Sequence, residues 1–143
     1  MNAKQLKIAV DFDGTIVDHC YPAIGGEKLF AFETLKALQR QGHILILWTF
    51  RSGSELSEAV EYCKAQGIVF YAVNKSYPDE IMDENISRKI DADLYIDDRN
   101  FGGFPGWSSI WEQLNSEAYG DHIAFERFKE KSLFERIKRI FRP

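Results

Sequence analysis

The chain has 143 residues and a formal net charge of −4. That length suits one domain with its own core, and the charge lacks the basic excess of a nucleic-acid binder. Hydrophobic residues at 45% and charged residues at 28% are ordinary for a water-soluble globular chain. No apolar run approaches the roughly 20 residues that a membrane span needs, which excludes a transmembrane reading.

Residues 6–10 form a short β-rich run, expected as a strand buried on both faces. It ends abruptly in Asp11-Phe12-Asp13-Gly14-Thr15. A loop follows over residues 18–26, with Tyr21-Pro22 and Gly25-Gly26. Residues 27–41 read as a helix, with Leu29, Phe32, Leu35 and Leu38 at helical spacing and Gly42 as the stop. Residues 44–48 are a second strand, ending in Thr49-Phe50-Arg51. Ser52 or Ser54 can cap the next helix, whose stripe is Leu56, Ala59, Val60 and Cys63 and which stops at Gly67. Residues 68–73 are a third strand. Residues 77–90 suggest a loop and then a short helix. Residues 93–96 are a fourth strand, ending in Asp97-Asp98-Arg99-Asn100. Ser108 can cap a short helix through Leu114, and residues 121–142 read as an amphipathic helix. Strands alternate with helices, so the expected fold is α/β: a single domain, a three-layer Rossmann-like sandwich around a mostly parallel sheet.

Polar residues collect where the predicted strands end: Asp11, Asp13 and Thr15 after the first, Thr49 and Arg51 after the second, Asp97 and Asp98 after the fourth. Ligands of open α/β sheets bind along that edge. Like charges at the mouth of a buried strand cost free energy unless a cation or proton compensates. All-oxygen ligands favour Mg²⁺, which takes few protein carboxylates and retains waters and substrate phosphate. A calcium loop of the EF-hand type does not fit, because Gly14 stands fourth rather than sixth and Pro22 stands where Glu is needed.

The same residues resemble the phosphatase branch of the haloacid dehalogenase superfamily. Asp11-Phe12-Asp13-Gly14-Thr15 is similar to its D-x-D-G-T signature, Thr49 to its second-strand Ser/Thr, and Asp97-Asp98 to its acidic metal motif. Lys89, eight residues before Asp97, stands where its phosphate-binding lysine is expected, although Lys75 competes for that place. The resemblance implies a Mg²⁺-dependent phosphohydrolase acting on a phosphomonoester. Asp11 would be the nucleophile and Asp13 the general acid and base. Asp11, the Asp13 carbonyl, Asp97 and Asp98 would serve the metal, and Thr49 and Lys89 the phosphoryl group. Such proteins often carry a cap domain, and this chain leaves no room for one. An open site then implies a large substrate, or closure by a neighbouring subunit or by the chain's own tail.

Several readings stay open beside this one. Arg51 is the preferred substrate contact, because its planar fork suits a phosphate or carboxylate. Asn74, Arg99 and Asn100 lie near the same edge, each as readily a loop residue as a contact. His19 reads as a loop residue, and Trp48, Trp107 and Trp111 as packing residues. A phospho-accepting receiver domain shares this residue set in another chain order, with the acidic pair early and the phosphorylated Asp later. A phosphate-binding protein without turnover is the other alternative. Residues 123–143 carry a net +4, leaving −8 for residues 1–122. Helix 121–142 could dock on the domain, mediate self-association or lie on an anionic surface. Cys20 and Cys63 lack metal spacing, no leader pattern precedes Asp11, and a reduced cytoplasmic location is expected.

Overall fold

The computed structural model describes residues 4–116. The predicted helix over residues 121–142 lies outside the described residues. The chain divides into two compact units, Gln5–Ser108 and a second made from its two ends. In the second unit the described residues are Lys4 and the stretch from Ser109 to Ser116. There Gln113 Nε2 donates to Ser109 Oγ at 2.9 Å, one helical turn away.

Unit Gln5–Ser108 is built on four parallel strands: β1 (Lys7–Val10), β2 (Ile44–Leu47), β3 (Ala72–Val73) and β4 (Leu94–Ile96), in the order β3-β2-β1-β4. Helix α1 (Ala31–Arg40) connects β1 to β2, and α2 (Gly53–Ala65) connects β2 to β3. Helix α3 (Trp107–Leu114) begins in this unit. The fold is α/β and Rossmann-like, as expected. The central strand β1 is buried on both faces, with Ile8, Ala9 and Val10 all 1% exposed or less. Side-chain alternation puts Ala9, Ile46 and Ala72 on one face, where Ile90 closes a core flanked by Trp48 and Tyr95. Ile8, Val10, Leu45 and Leu47 fill the opposite face. Tyr62 of α2 meets the rings of Phe12 and of Phe32 on α1, so both helices share one aromatic seam.

Two predicted elements are much shorter than expected and a third does not form. The first helix begins at Ala31 rather than at residue 27, because Phe30 is left-handed at φ 64° and cannot continue a helical turn. Leu29, expected on the buried stripe, is 77% exposed. Its neighbourhood belongs to a small flap instead: Val17 bridges Asp13 and Glu27, and the Lys28 N–H donates to the Ile16 carbonyl. The third strand keeps two ladder residues of the six predicted; Val69 and Tyr71 face outward at the sheet edge. No helix forms between residues 77 and 90. That stretch is stapled by side chains, with Glu80 accepting the Ser76 N–H and Ser76 Oγ accepting the Asp91 N–H. Ser52 occupies the N-cap of α2 without a side-chain cap bond. Ser108 lies inside α3 rather than capping it.

Among the described residues the β1–α1 connection holds only the flap. The span from β2 to β4 holds α2, β3 and the stapled segment, so neither interval contains an inserted domain. No helix among them is long and apolar enough to cross a membrane.

Candidate functional site

The sheet register assembles the site. Val10 pairs with Ile96 and with Leu47, and Leu47 pairs with Val73. The next residue of each strand therefore emerges along one edge: Asp11, Trp48, Asn74 and Asp97. The ladder runs one step past the strands, since the Asp11 N–H donates to the Ile96 carbonyl and the Trp48 N–H to the Val10 carbonyl. Thr49 is anchored in turn, its N–H donating to Asn74 Oδ1 at 2.8 Å.

Asp11, Asp97 and Asp98 each offer a carboxylate oxygen, and these oxygens lie within 4.8 Å of one another. None of the three carboxylates has a basic side chain within 4.0 Å among the described residues. The energetic consequence appears at Asp11, whose pKa is pushed up to about 7. Burial is the largest cause, and the charges of Asp97 and Asp98 add to it against the opposing hydrogen bonds of the Phe12 backbone and Thr15. An ion with ligand bonds near 2.1 Å spans about 4.2 Å between opposite ligands. The spacing and the all-oxygen, uncompensated donor set therefore fit a hard divalent cation.

Thr15 welds the two acidic motifs together. Its hydroxyl donates to Asp11 Oδ2 at 3.1 Å and accepts the Asp98 N–H at 3.0 Å. Its carbonyl accepts the indole N–H of Trp107 at 2.8 Å. Trp107 is therefore held by a polar bond as well as by packing. Gly14, at φ +81°, lets Asp98 approach closely: a Cβ there would stand 2.2 Å from Asp98 Oδ2.

Asp13 is not in the triad. Both of its oxygens accept from Arg51, Oδ2 from Nε and Oδ1 from Nη2, each at 2.7 Å. Arg51 is 1% exposed. Two further N–H donors go to the carbonyls of Pro22 and Ala23, and its guanidinium lies over the rings of Phe12 and Tyr21. The expected role for Arg51, a substrate contact, is corrected by this burial, because four of its five N–H donors are used within the protein. It positions Asp13 and ties the flap down.

Lys89 is also corrected. Its ammonium stands 5.4 Å above the Tyr95 ring. It lines a separate cavity of about 510 Å³, beside Ser76 and Glu80. The cleft over the acids, about 800 Å³, takes its basic lining from His19, Arg88 and Arg99 instead, and Lys75 does not line it. Thr49 lies in this cleft with Asp11, Asp13 and Asp97. Arg88 and Met82 line the cleft without having been singled out from the sequence; His19, expected as a loop residue, lines it too, and Trp48 both lines it and packs on the core as expected. The only signal for Arg88 was a basic pair, Arg88-Lys89, in a segment without periodicity, which cannot say which of two neighbours turns inward.

The chain is similar to a solved structure described as a conserved protein from Bacteroides thetaiotaomicron. Identity is 57%, covering 78% of this chain and 90% of that one, with a TM-score of 0.74. No protein-family model matches the chain, and no curated protein does.

Proposed function

We propose that this chain, which belongs to the same family as the conserved Bacteroides thetaiotaomicron protein, is a Mg²⁺-dependent phosphatase working through an aspartyl-phosphate. The observation that carries the reading is the convergence of Asp11, Asp97 and Asp98 without a basic partner. It is supported by the resemblance of those motifs to the haloacid dehalogenase superfamily.

Thr15 fixes the Asp11 carboxylate through Oδ2, and the other Asp11 oxygen is the nucleophile. A bond forms from that oxygen to the substrate phosphorus as the bond to the alcohol oxygen breaks. The leaving oxygen takes a proton from Asp13. Both Asp13 oxygens accept from Arg51, so before donating Asp13 gives up one of those bonds and takes a proton from solvent, which it then passes to the leaving oxygen. Water then attacks the aspartyl-phosphate, Asp13 takes its proton, and inorganic phosphate leaves with Asp11 restored. The Thr49 hydroxyl and the amides of the turn after Asp11 orient the phosphoryl oxygens. A Mg²⁺ held by Asp11, Asp97 and Asp98 would neutralise the acids and draw charge from the phosphoryl group. A cytoplasmic setting suits the exposed, unpaired thiol of Cys20.

The test is phosphate release from p-nitrophenyl phosphate with Mg²⁺, stopped by EDTA and lowered by about three orders of magnitude in Asp11→Asn. A fully active Asp11→Asn protein, or turnover indifferent to EDTA, overturns the proposal.

A further inference from the structure

The mechanism above leaves two guanidinium groups in the cleft unused. Arg88, on the stapled segment, and Arg99, two residues after Asp97, both line the cleft that contains Asp11. Neither has a carboxylate within 4.0 Å among the described residues. The nearest side-chain partner of Arg99 is His19, with Nη2 and Nε2 3.5 Å apart. The same cleft thus holds two acids without a basic partner, Asp11 and Asp97, and two arginines without an anion. Arginines recruited simply to neutralise Asp11, Asp97 and Asp98 would pair with them, as Arg51 pairs with Asp13.

The cleft is also larger than a phosphoryl group requires. Its volume, about 800 Å³, lies in the range of small-molecule pockets. Its wall carries apolar groups: Tyr21 and Phe50 stand edge to face with ring centres 6.4 Å apart, and Phe50 is 92% exposed. Met82, on the same wall, is 47% exposed. Such a wall can cover the carbon skeleton of a leaving group.

We infer that the substrate is a small phosphomonoester whose alcohol part bears a second anionic group, a carboxylate or another phosphate, received by Arg88 and Arg99. This rests on the phosphatase reading, in which the transferring phosphoryl group is already served by the metal, Thr49 and turn amides. The arginines are then left for charge elsewhere on the substrate, and the guanidinium fork fits both carboxylate and phosphate. It also favours a small substrate over the large one that an uncapped site suggested.

The experiment compares kcat/KM for 4-carboxyphenyl phosphate, 1,4-phenylene bisphosphate and the neutral isostere 4-carbamoylphenyl phosphate in the full chain with Mg²⁺. At least one anionic ester should be favoured tenfold or more, chiefly through KM, and which one it is separates carboxylate from phosphate recognition. In Arg88→Ala and in Arg99→Ala the ratio of anionic to neutral ester should fall toward one. A wild-type ratio of one or below overturns the inference, as does a ratio unmoved by either substitution. An equal loss on all three esters also overturns it and assigns the arginines to the transferring phosphoryl group. Calorimetry with 4-carboxyphenyl and 4-phosphonophenyl phosphonates against 4-carbamoylphenyl phosphonate reads the same preference without turnover. Preferential binding lost in the arginine variants, with no ester hydrolysed, upholds the anion subsite and removes the phosphatase reading. Hydrolysis without preference does the reverse.

Discussion

Arg51 grips both oxygens of Asp13 through two 2.7 Å hydrogen bonds while its side chain is fully buried. The pair joins the end of β1 to the segment after β2, and two further donors of Arg51 hold the Pro22 and Ala23 carbonyls. Removing Arg51 strands a carboxylate and two carbonyls together. Arg51→Met should therefore cost about 3–5 kcal/mol of stability, read as a drop in the urea midpoint. Arg51→Lys should recover little, since a single ammonium cannot reproduce the fork. A Lys variant as stable as wild type would show that the pair contributes charge alone.

Gly14 is the point where the two acidic motifs nearly touch. A Cβ there meets Asp98 Oδ2 at 2.2 Å, on a backbone at φ +81°. Gly14→Ala should cost about 1–2 kcal/mol in stability and push Asp98 from the triad. The rise in melting temperature produced by Mg²⁺ should shrink accordingly, and chelation with EDTA should then change little. A variant with an undiminished Mg²⁺ response would mean that Asp98 is dispensable for the cation.

The two cysteines should separate cleanly by reactivity. Cys20 is exposed and Cys63 is buried. Burial pushes the Cys63 thiol up to about 12, from an ordinary value of 9.0. Titration with a disulfide reagent at pH 8 should modify one thiol quickly and the second only on denaturation. The linkage has a definite sign: above pH 9 the unfolded chain loses a proton that the fold retains, so this contribution to stability falls as pH rises. Cys63→Ala should weaken that alkaline loss. Two equally fast thiols in the native protein would contradict the burial of α2.

His43 gives the opposite limb. Its Nδ1 accepts the Leu6 N–H at 3.1 Å, and burial lowers its pKa from the usual 6.5. Below pH 6.5 the unfolded chain takes up a proton that the folded ring resists, so stability is lost as pH falls. The change in unfolding free energy between pH 7.5 and 5.5 should be smaller in His43→Gln than in wild type. Parallel pH profiles for the two proteins would remove this assignment.

The parallel sheet was legible because each strand is a short apolar run closed by polar residues. Once strands are parallel, their ends share an edge, and Asp11, Thr49 and Asp97 must come near one another. Asp98 follows from its adjacency to Asp97. Cys63 was legible as core because the α2 stripe repeats at helical spacing. Other expectations failed where a local pattern competed with a distant contact. The apolar spacing through Leu29 is helical, yet residues 27 and 28 are held by Val17 and Ile16 in the flap.

Residue types and their order thus determined, by themselves, the class of fold and the acids that gather at one edge. Hydrophobic periodicity and strand direction are properties of the chain, and they leave few alternative arrangements. Only the tertiary structure decided the direction of the cationic side chains: Arg51 inward to Asp13, Lys89 over Tyr95, Arg88 and Arg99 into the cleft. A long side chain on an irregular segment has no period to betray its face, and its direction is set by partners distant in sequence, 38 residues away for Arg51 and Asp13.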